Sequence, residues 1–474
     1  MDKIIESALN NPTVESLTQA LLYVVNAYKA LEVKCEQLER ENERLRRQLN
    51  NNSKNSSKPS STDQKPTKAA NKYNSREKTN RKKGAQAGHT GKGLSKEFAQ
   101  SLIDSGDVEH RIVGVGEKSD QYSTRYVLDL VTKVSVTEIR FYHGRYIKST
   151  IPEYFSCPVM YGNGIKSLCT LLYSEGVVSN DRIKTIIDSL SGNKLSISEG
   201  AVYNFCQTFV SAINSKYDEI RSAVLSDAVV ATDATTISID GLQKYIRNFS
   251  TTDVCLYESQ NSKSIACLND SVILPHYTGI LEHDHEVALY HYGSEHGECN
   301  AHLFRYLEKT TEESGNLWSG ELKSLLSAAN RKRSAAMVAG QTVFDDGYVA
   351  DIETQYDNVL TLGEKQNEKT KGFTAKREER ALLRRLRKYK ENILLFLHDF
   401  RVPFTNNVSE RDLRKCKNRQ KMSGGFRNAD GCDMYCKILS VIETWKREGK
   451  NLLQEIKNSF DRLMPIPALQ PAFL

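Results

Sequence analysis

The chain is 474 residues long, 39% apolar and 26% charged, with a formal net charge of +7. At about 150 residues per domain it has room for about three domains with buried cores, and the lack of any apolar run of about 18 residues excludes a hydropathic membrane span. Ten cysteines without a C-x-x-C pair exclude a disulfide framework and fit free thiols in a reducing cytoplasm.

The opening Met1–Glu6 carries no signal-peptide pattern. Residues 24–49 carry a heptad. Val24, Leu31, Leu38 and Leu45 recur at d, with Tyr28, Cys35, Asn42 and Leu49 at a, and Glu32, Lys34, Glu39, Glu41 and Arg46 at e and g. A leucine seam with one Asn at a predicts a parallel two-stranded coiled coil within residues 1–50, and so a homodimer or higher assembly. An amphipathic helix packed on its own chain is the alternative.

Residues 51–96 hold twelve Lys/Arg against two Asp/Glu, a local +10 that leaves the remainder near −3. With no apolar face to bury, this stretch reads as a disordered basic linker. Lys78, Arg81, Lys82 and Lys83 lie in it, and such an arm can track phosphates without reading bases. A plain soluble tether is the other reading.

Residues 97–160 read as a small β-rich module, with Tyr126–Val131 and Thr137–Tyr142 as strands. Residues 161–222 read as helical. Ile183, Ile186, Ile187 and Leu190 mark one helix, Gly192 ends it, Ser196 can cap the next, and Ser198–Tyr203 starts a second. A DNA-reading helix-turn-helix and two plain packing helices both fit this pattern.

Residues 223–300 read as the first part of a sheet. Val229–Ile239 is a strand by its β-branched content. Asp240-Gly241 is a hairpin turn, and Tyr245–Phe249 and Val254–Glu258 supply further strands. Asp233 interrupts the apolar strand, where a lone aspartate is costly unless it is paired, metal-bound or bonded to backbone. Gly279–His285 is another short strand with Asp284 at its end. His296, Cys299 and His302 follow, at the start of a helix. They can supply three ligands of a zinc site, or pack structurally beside Asp284; an H-x-H site at His283 and His285 is weaker. Residues 301–400 read as a helical insertion. Leu382, Leu386, Tyr389, Ile393 and Leu397 form an apolar stripe there. Arg377, Arg380, Arg384, Arg387 and Lys388 flank it as a solvated face or a DNA contact.

Pro403-Phe404-Thr405-Asn406-Asn407-Val408-Ser409-Glu410-Arg411-Asp412-Leu413-Arg414 is a loop turning into a helix. Asn406 and Asn407 can cap it, Glu410 sits in the first turn where the helix dipole favours a carboxylate, and Arg414 lies four residues on, on the same face. A solvated Glu–Arg pair and a metal-binding carboxylate both fit. Gly424-Gly425-Phe426-Arg427 and a helix carrying Ser440-Val441-Ile442-Glu443-Thr444 follow, within a region 401–449. A C-terminal helix and tail occupy 450–474.

This assembly, P-F-T-N-N-x-x-E-R-x-L-R, then G-G-F-R, then S-x-I-x-T, resembles the C-terminal end of the catalytic domain in the insertion sequence 66 family of bacterial transposases. The D-H at Asp284, the Y-G at Tyr292-Gly293 and the H-x-x-C-x-x-H-x-x-R series from His296 to Arg305 are similar as well, as are the zipper and the linker motifs N-S-S-K-P-S-S and G-x-Q-x-G-H. The resemblance implies a DDE transposase: an α+β multidomain chain whose RNase-H-like core is interrupted by the helical insertion, with Asp233, Asp284 and Glu410 as catalytic carboxylates. Relatives carry two cysteine pairs in the β-rich module. Here Cys157 alone is near, so no zinc finger is expected.

Three clustered carboxylates repel one another, and two Mg²⁺ ions, or Mn²⁺, would offset that repulsion and serve an in-line phosphoryl transfer. The implied partners are the element's terminal inverted repeats, target DNA and small accessory proteins of the same element, in a bacterial cytoplasm at the nucleoid. Lys78, Arg81, Lys82 and Lys83, with Arg414 and Arg427 beside the glutamate, are the candidate DNA contacts. A non-enzymatic DNA-binding regulator and a coiled-coil scaffold remain as rival classes.

Overall fold

The structure is a computed structural model that describes residues 10, 12–50, 96–106, 133–141, 151–155, 157–368 and 374–465, with isolated positions between 108 and 128. The expectations for residues 51–95, including Lys78, Arg81, Lys82 and Lys83, lie outside the described residues. Two compact units divide the chain. The larger holds residues 162–179, with helix α3 (Asn163–Ser174), and 204–465, together with the N-terminal helix α1, Val14–Asn50. The smaller holds the described parts of 71–161 and 180–203.

The smaller unit contains helices α2 (Lys96–Asp104) and α4 (Asn180–Leu190) and the first turn of α5 (Glu199–Ser226). Ile183 and Ile187 of α4 are buried, and Gly192 follows the helix in a left-handed conformation, φ +60°. Ser198 rather than Ser196 caps α5, its Oγ accepting from the Ala201 N–H at 3.1 Å. The strand expected at Thr137–Tyr142 is not formed over its described residues 137–141. The side chains there are mostly exposed, and a strand without a partner ladder or a face to bury gains nothing from its alternation. Most of Tyr126–Val131 is outside the described residues.

The larger unit is mixed α and β around one five-stranded sheet of order β3-β2-β1-β4-β5. Its strands are β1 Val229–Ile239, β2 Leu242–Ser250, β3 Cys255–Gln260, β4 Ile280–His283 and β5 Glu295–Glu298, with the one-turn helix α6 (Ile265–Leu268) between β3 and β4. Asp240 (φ +54°) and Gly241 (φ +73°) form the two-residue turn between β1 and β2, both left-handed as a tight hairpin of matching twist requires. The hairpin register sets Asp233 opposite Asn248, and β2 pairs antiparallel with β3. On the other side β1 runs parallel to β4, with Ala231 opposite Glu282, and β4 runs parallel to β5.

Helix α14 (Ala429–Arg447) covers the β3 edge, and its Ser440 and Thr444, one turn apart, meet the strand's outward N–H groups. Ser440 Oγ accepts from Tyr257 N–H at 2.8 Å and Thr444 Oγ1 from Cys255 N–H at 3.2 Å. Two hydroxyls spaced i, i+4 thus close an edge that would otherwise expose unpaired donors.

The G-G-F-R segment extends the far end of β1. Phe426 N–H donates to Ser238 C=O at 2.8 Å and Asp240 N–H to Phe426 C=O at 2.9 Å. Gly425 has φ +112°, and a Cβ there would lie 2.1 Å from the Ser238 oxygen, so only glycine permits this approach.

Between β5 and the Pro403 loop run α7 (Asn300–Ser314), α8 (Trp318–Val338), α9 (Asp346–Glu368), α10 (Thr374–Lys388) and α11 (Lys390–His398). They share a core that includes Leu307, Trp318, Leu326, Tyr356, Leu386 and Leu397. The apolar stripe from Leu382 to Leu397 is divided between two helices that break at Tyr389. Of its flanking cations, Arg387 is bound to Asp357 and Glu364 at 3.0 and 3.1 Å.

Candidate metal and catalytic centre

The parallel register of β1 and β4 determines where the aspartates lie. Ala231 faces Glu282, and two residues further along each chain come Asp233, on β1, and Asp284, just past β4. The third carboxylate arrives from α12 (Asn407–Asp412), a helix of one and a half turns after the Pro403 loop. Glu410 lies on it, half-buried.

A single imidazole links the second and third carboxylates. His302, on the first turn of α7, has Nδ1 3.1 Å from Asp284 Oδ1 and Nε2 3.6 Å from Glu410 Oε1. Arg305, three residues along the same helix, lies 3.9 Å from Glu410. Asp284, Cys299 and His302 bring ligand atoms within 4.8 Å of one another. Cys299 is buried and accepts the Asn406 N–H at 3.1 Å. Burial pushes its thiol well above its ordinary value, so it enters the group as a neutral thiol.

The two aspartates divide their protons unequally. Burial, and then the charge of Asp284, raises Asp233 to about 6. Burial also works to raise Asp284, but the adjacent His302 imidazole, with help from Asn406 and Cys299, brings it below the usual carboxylate range. Glu282, two residues before Asp284, is fully buried. Burial, then the charges of Asp284 and Glu298, pushes its carboxyl far up.

Several residues with no motif signal hold this arrangement. Asn248 accepts the Asp233 N–H at 3.2 Å and the Ser409 hydroxyl at 2.6 Å, and donates to the Ser409 carbonyl at 3.2 Å. Asp412 is buried and paired with Arg447 at 2.5 Å and with the Ser250 hydroxyl at 2.7 Å, anchoring the end of α12. Arg247, fully buried on β2, donates to Thr232, Gln260 and Glu286. Its signal was only a charge in a strand otherwise fit for burial.

Some expectations are corrected. Asn406 occupies the cap position of α12 without a side-chain cap bond. Its Nδ2 donates to Thr232 C=O at 2.9 Å, which holds the amide against β1 while its Oδ1 makes no cap bond. Arg414 does not continue the helix of Glu410; it opens a separate helix, α13 (Arg414–Ser423), and is exposed. Arg427 is exposed beyond the docked Phe426. Of His296, Cys299 and His302, read either as a zinc triad or as packing beside Asp284, only Cys299 and His302 group with Asp284. His296 lies on β5 and pairs with His283 at 3.3 Å, since strand alternation sends it to a different face from the Cys299 turn.

A family model described as Transposase IS66 family matches residues 159–434. A second, described as a family of unknown function (DUF6444), matches residues 8–95. No curated protein matches the chain. The first match covers more than half of the sequence and includes β1 to β5, α7 to α11, the Pro403 loop and α12. The chain belongs to the transposase IS66 family.

Proposed function

We propose that this protein binds the terminal repeats of its insertion sequence and, with a divalent metal, cleaves phosphodiester bonds there and joins the freed strand to target DNA. The observation that carries this reading is the convergence on His302, whose two nitrogens lie 3.1 Å from Asp284 and 3.6 Å from Glu410, with Asp233 on the adjoining strand. Three carboxylates from three separate elements are hard oxygen donors suited to Mg²⁺, with Mn²⁺ as a substitute. Bound there, Mg²⁺ supplies charge neutralisation and an activated oxygen nucleophile for in-line displacement. The donor set fits, because burial and then the nearby charge of Asp284 raise Asp233, and a bound cation would offset both.

The chain's own residues orient the site. Parallel strands hold Asp233 beside Asp284, and Asn248 ties Asp233 to the helix of Glu410. His302 and Arg305 hold Glu410 toward the sheet from α7. Three antiparallel strands continued by two parallel ones, with one carboxylate on β1, one just past β4 and one on a later helix, support an RNase-H-like core interrupted by α7 to α11.

The remaining parts have roles in this reading. The exposed apolar side chains of α1, Leu31 and Leu38 among them, pair with a second copy in a coiled coil. The basic residues 51–96 contact phosphates, leaving specificity to folded parts. Accessory proteins of the same element join the complex in the bacterial cytoplasm. No helix among the described residues is long and apolar enough to cross a membrane.

The test is a duplex carrying the element's terminal repeat, incubated with the full chain. Strand cleavage at the element end in Mg²⁺ or Mn²⁺, abolished by EDTA, is the expected result. Tight end binding with no cleavage in either metal would favour a non-enzymatic regulator.

A further inference from the structure

Glu298 ends β5 and is 3% exposed. Its Oε1 accepts from His285 Nδ1 at 2.6 Å and from the Tyr290 hydroxyl at 2.5 Å, and its Oε2 accepts from Arg385 Nη2 at 2.6 Å. His285 directly follows Asp284 and has φ +60°, a left-handed conformation that a residue with a side chain seldom adopts unless its surroundings hold it there. The Tyr389 ring meets the His285 ring edge-on at 4.7 Å. One buried carboxylate therefore holds the backbone turn next to Asp284. The same carboxylate is held by a guanidinium on α10, a helix far along the chain.

We propose that Glu298 is a positioning residue for Asp284: it pins His285 in the left-handed turn that presents the Asp284 carboxylate to His302, and it ties that turn to α10 through Arg385. Glu298 binds His285 and Arg385 binds Glu298, so their action on Asp284 is assigned to the peptide between residues 284 and 285. The consequence for metal binding rests on the reading of Asp284 as a ligand. The interrupting helices thereby gain a direct hold on one site carboxylate.

The experiment compares the intact full-length chain with Glu298→Gln, His285→Gly and the double variant. Mn²⁺ affinity is measured by titration calorimetry and folding by thermal unfolding. Gln keeps the shape of Glu298 but loses its charge, while glycine takes a positive φ without a tether. Glu298→Gln is expected to weaken Mn²⁺ about tenfold, as loss of a supporting partner of a metal ligand does. His285→Gly in the same chain should restore the affinity to within about twofold, which a general packing defect would not allow. Wild-type affinity in Glu298→Gln, or a loss that glycine does not restore, overturns the proposal.

If Glu298→Gln does not fold, Arg385→Met carries the same comparison. It should weaken Mn²⁺ in a glycine-restorable way, and unchanged affinity there overturns the proposal. Mn²⁺ binding absent from the intact chain, or unaltered in Asp284→Asn, overturns instead the metal reading of Asp284. Positioning is then read from the crystal structure of Glu298→Gln or, if that variant does not fold, of Arg385→Met. A His285 that has left positive φ supports the proposal, and one that keeps it overturns it.

Discussion

Asn248 and Ser409, 161 residues apart, bind each other twice: the Ser409 hydroxyl donates to Asn248 Oδ1 at 2.6 Å, and Asn248 Nδ2 donates to the Ser409 carbonyl at 3.2 Å. The same Oδ1 accepts the N–H of Asp233. Asp233 on β1 and Glu410 on α12 are therefore set relative to each other by one buried amide. Replacing Asn248 with Ala leaves the Ser409 hydroxyl and the Asp233 N–H without this partner. The expected cost is about 1–3 kcal/mol of stability, together with a loss of cleavage larger than the unfolded fraction explains. Urea unfolding and a cleavage assay on the same preparation check it, and unaltered values in both would show that α12 is held elsewhere.

Gly425 and Gly424 make a paired test of backbone docking. Both have positive φ, but a Cβ at Gly424 meets nothing within 4 Å, whereas at Gly425 it would lie 2.1 Å from the Ser238 oxygen. Gly424→Ala should cost only the left-handed strain, about 1 kcal/mol. Gly425→Ala should cost about 3 kcal/mol or more and lower the thermal midpoint accordingly. Equal midpoints for the two variants would contradict the docking of Phe426 on β1.

Acid should weaken the fold through His296. Burial, against the opposing charge of Glu298, holds this imidazole down to about 4 in the folded chain, where it faces His283 at 3.3 Å. The unfolded chain protonates near 6.5, so between those two values it binds the extra proton. Stability contributed by the neutral ring is present above pH 6.5 and is lost as pH falls toward 4. Urea midpoints measured from pH 7.5 downward should drop across this window, and less steeply in a His296→Asn variant. Identical slopes would remove His296 from the account.

The elements carrying Asp233 and Asp284 are legible in the sequence, because β-branched runs and an Asp-Gly turn specify strands locally. The S-x-I-x-T motif is legible as a helix, but its task of closing the β3 edge is not, since that depends on two elements 183 residues apart meeting. Asn248, Asp412 and Glu298 are ordinary polar residues in sequence. Their importance comes from burial and from partners that only the folded chain supplies. The absent Asn406 cap has the same origin, because the amide is held by a strand carbonyl that only the folded chain supplies. The strand at Thr137–Tyr142 was misread because alternation alone cannot say whether a partner ladder is available.

Helix α1 presents Leu31 and Leu38 more than half exposed. A peptide of residues 14–50 should self-associate at micromolar concentration in sedimentation, and Leu38→Pro should leave it monomeric by breaking the helix. A wild-type peptide that stays monomeric at high micromolar concentration would contradict the coiled coil.

The central claim is that Asp233, Asp284 and Glu410 act together on DNA. Asp233→Asn, Asp284→Asn and Glu410→Gln each remove a charge with little change in volume, and Asp240→Asn, in the hairpin turn, is the control. The most direct measurement is Mg²⁺-dependent cleavage of an element-end duplex by each variant, with binding of the same duplex measured alongside. The account predicts that each of the three loses about a hundredfold or more in cleavage while binding changes little, and that Asp240→Asn cuts normally. Cleavage near the wild-type rate in any one of the three would contradict it.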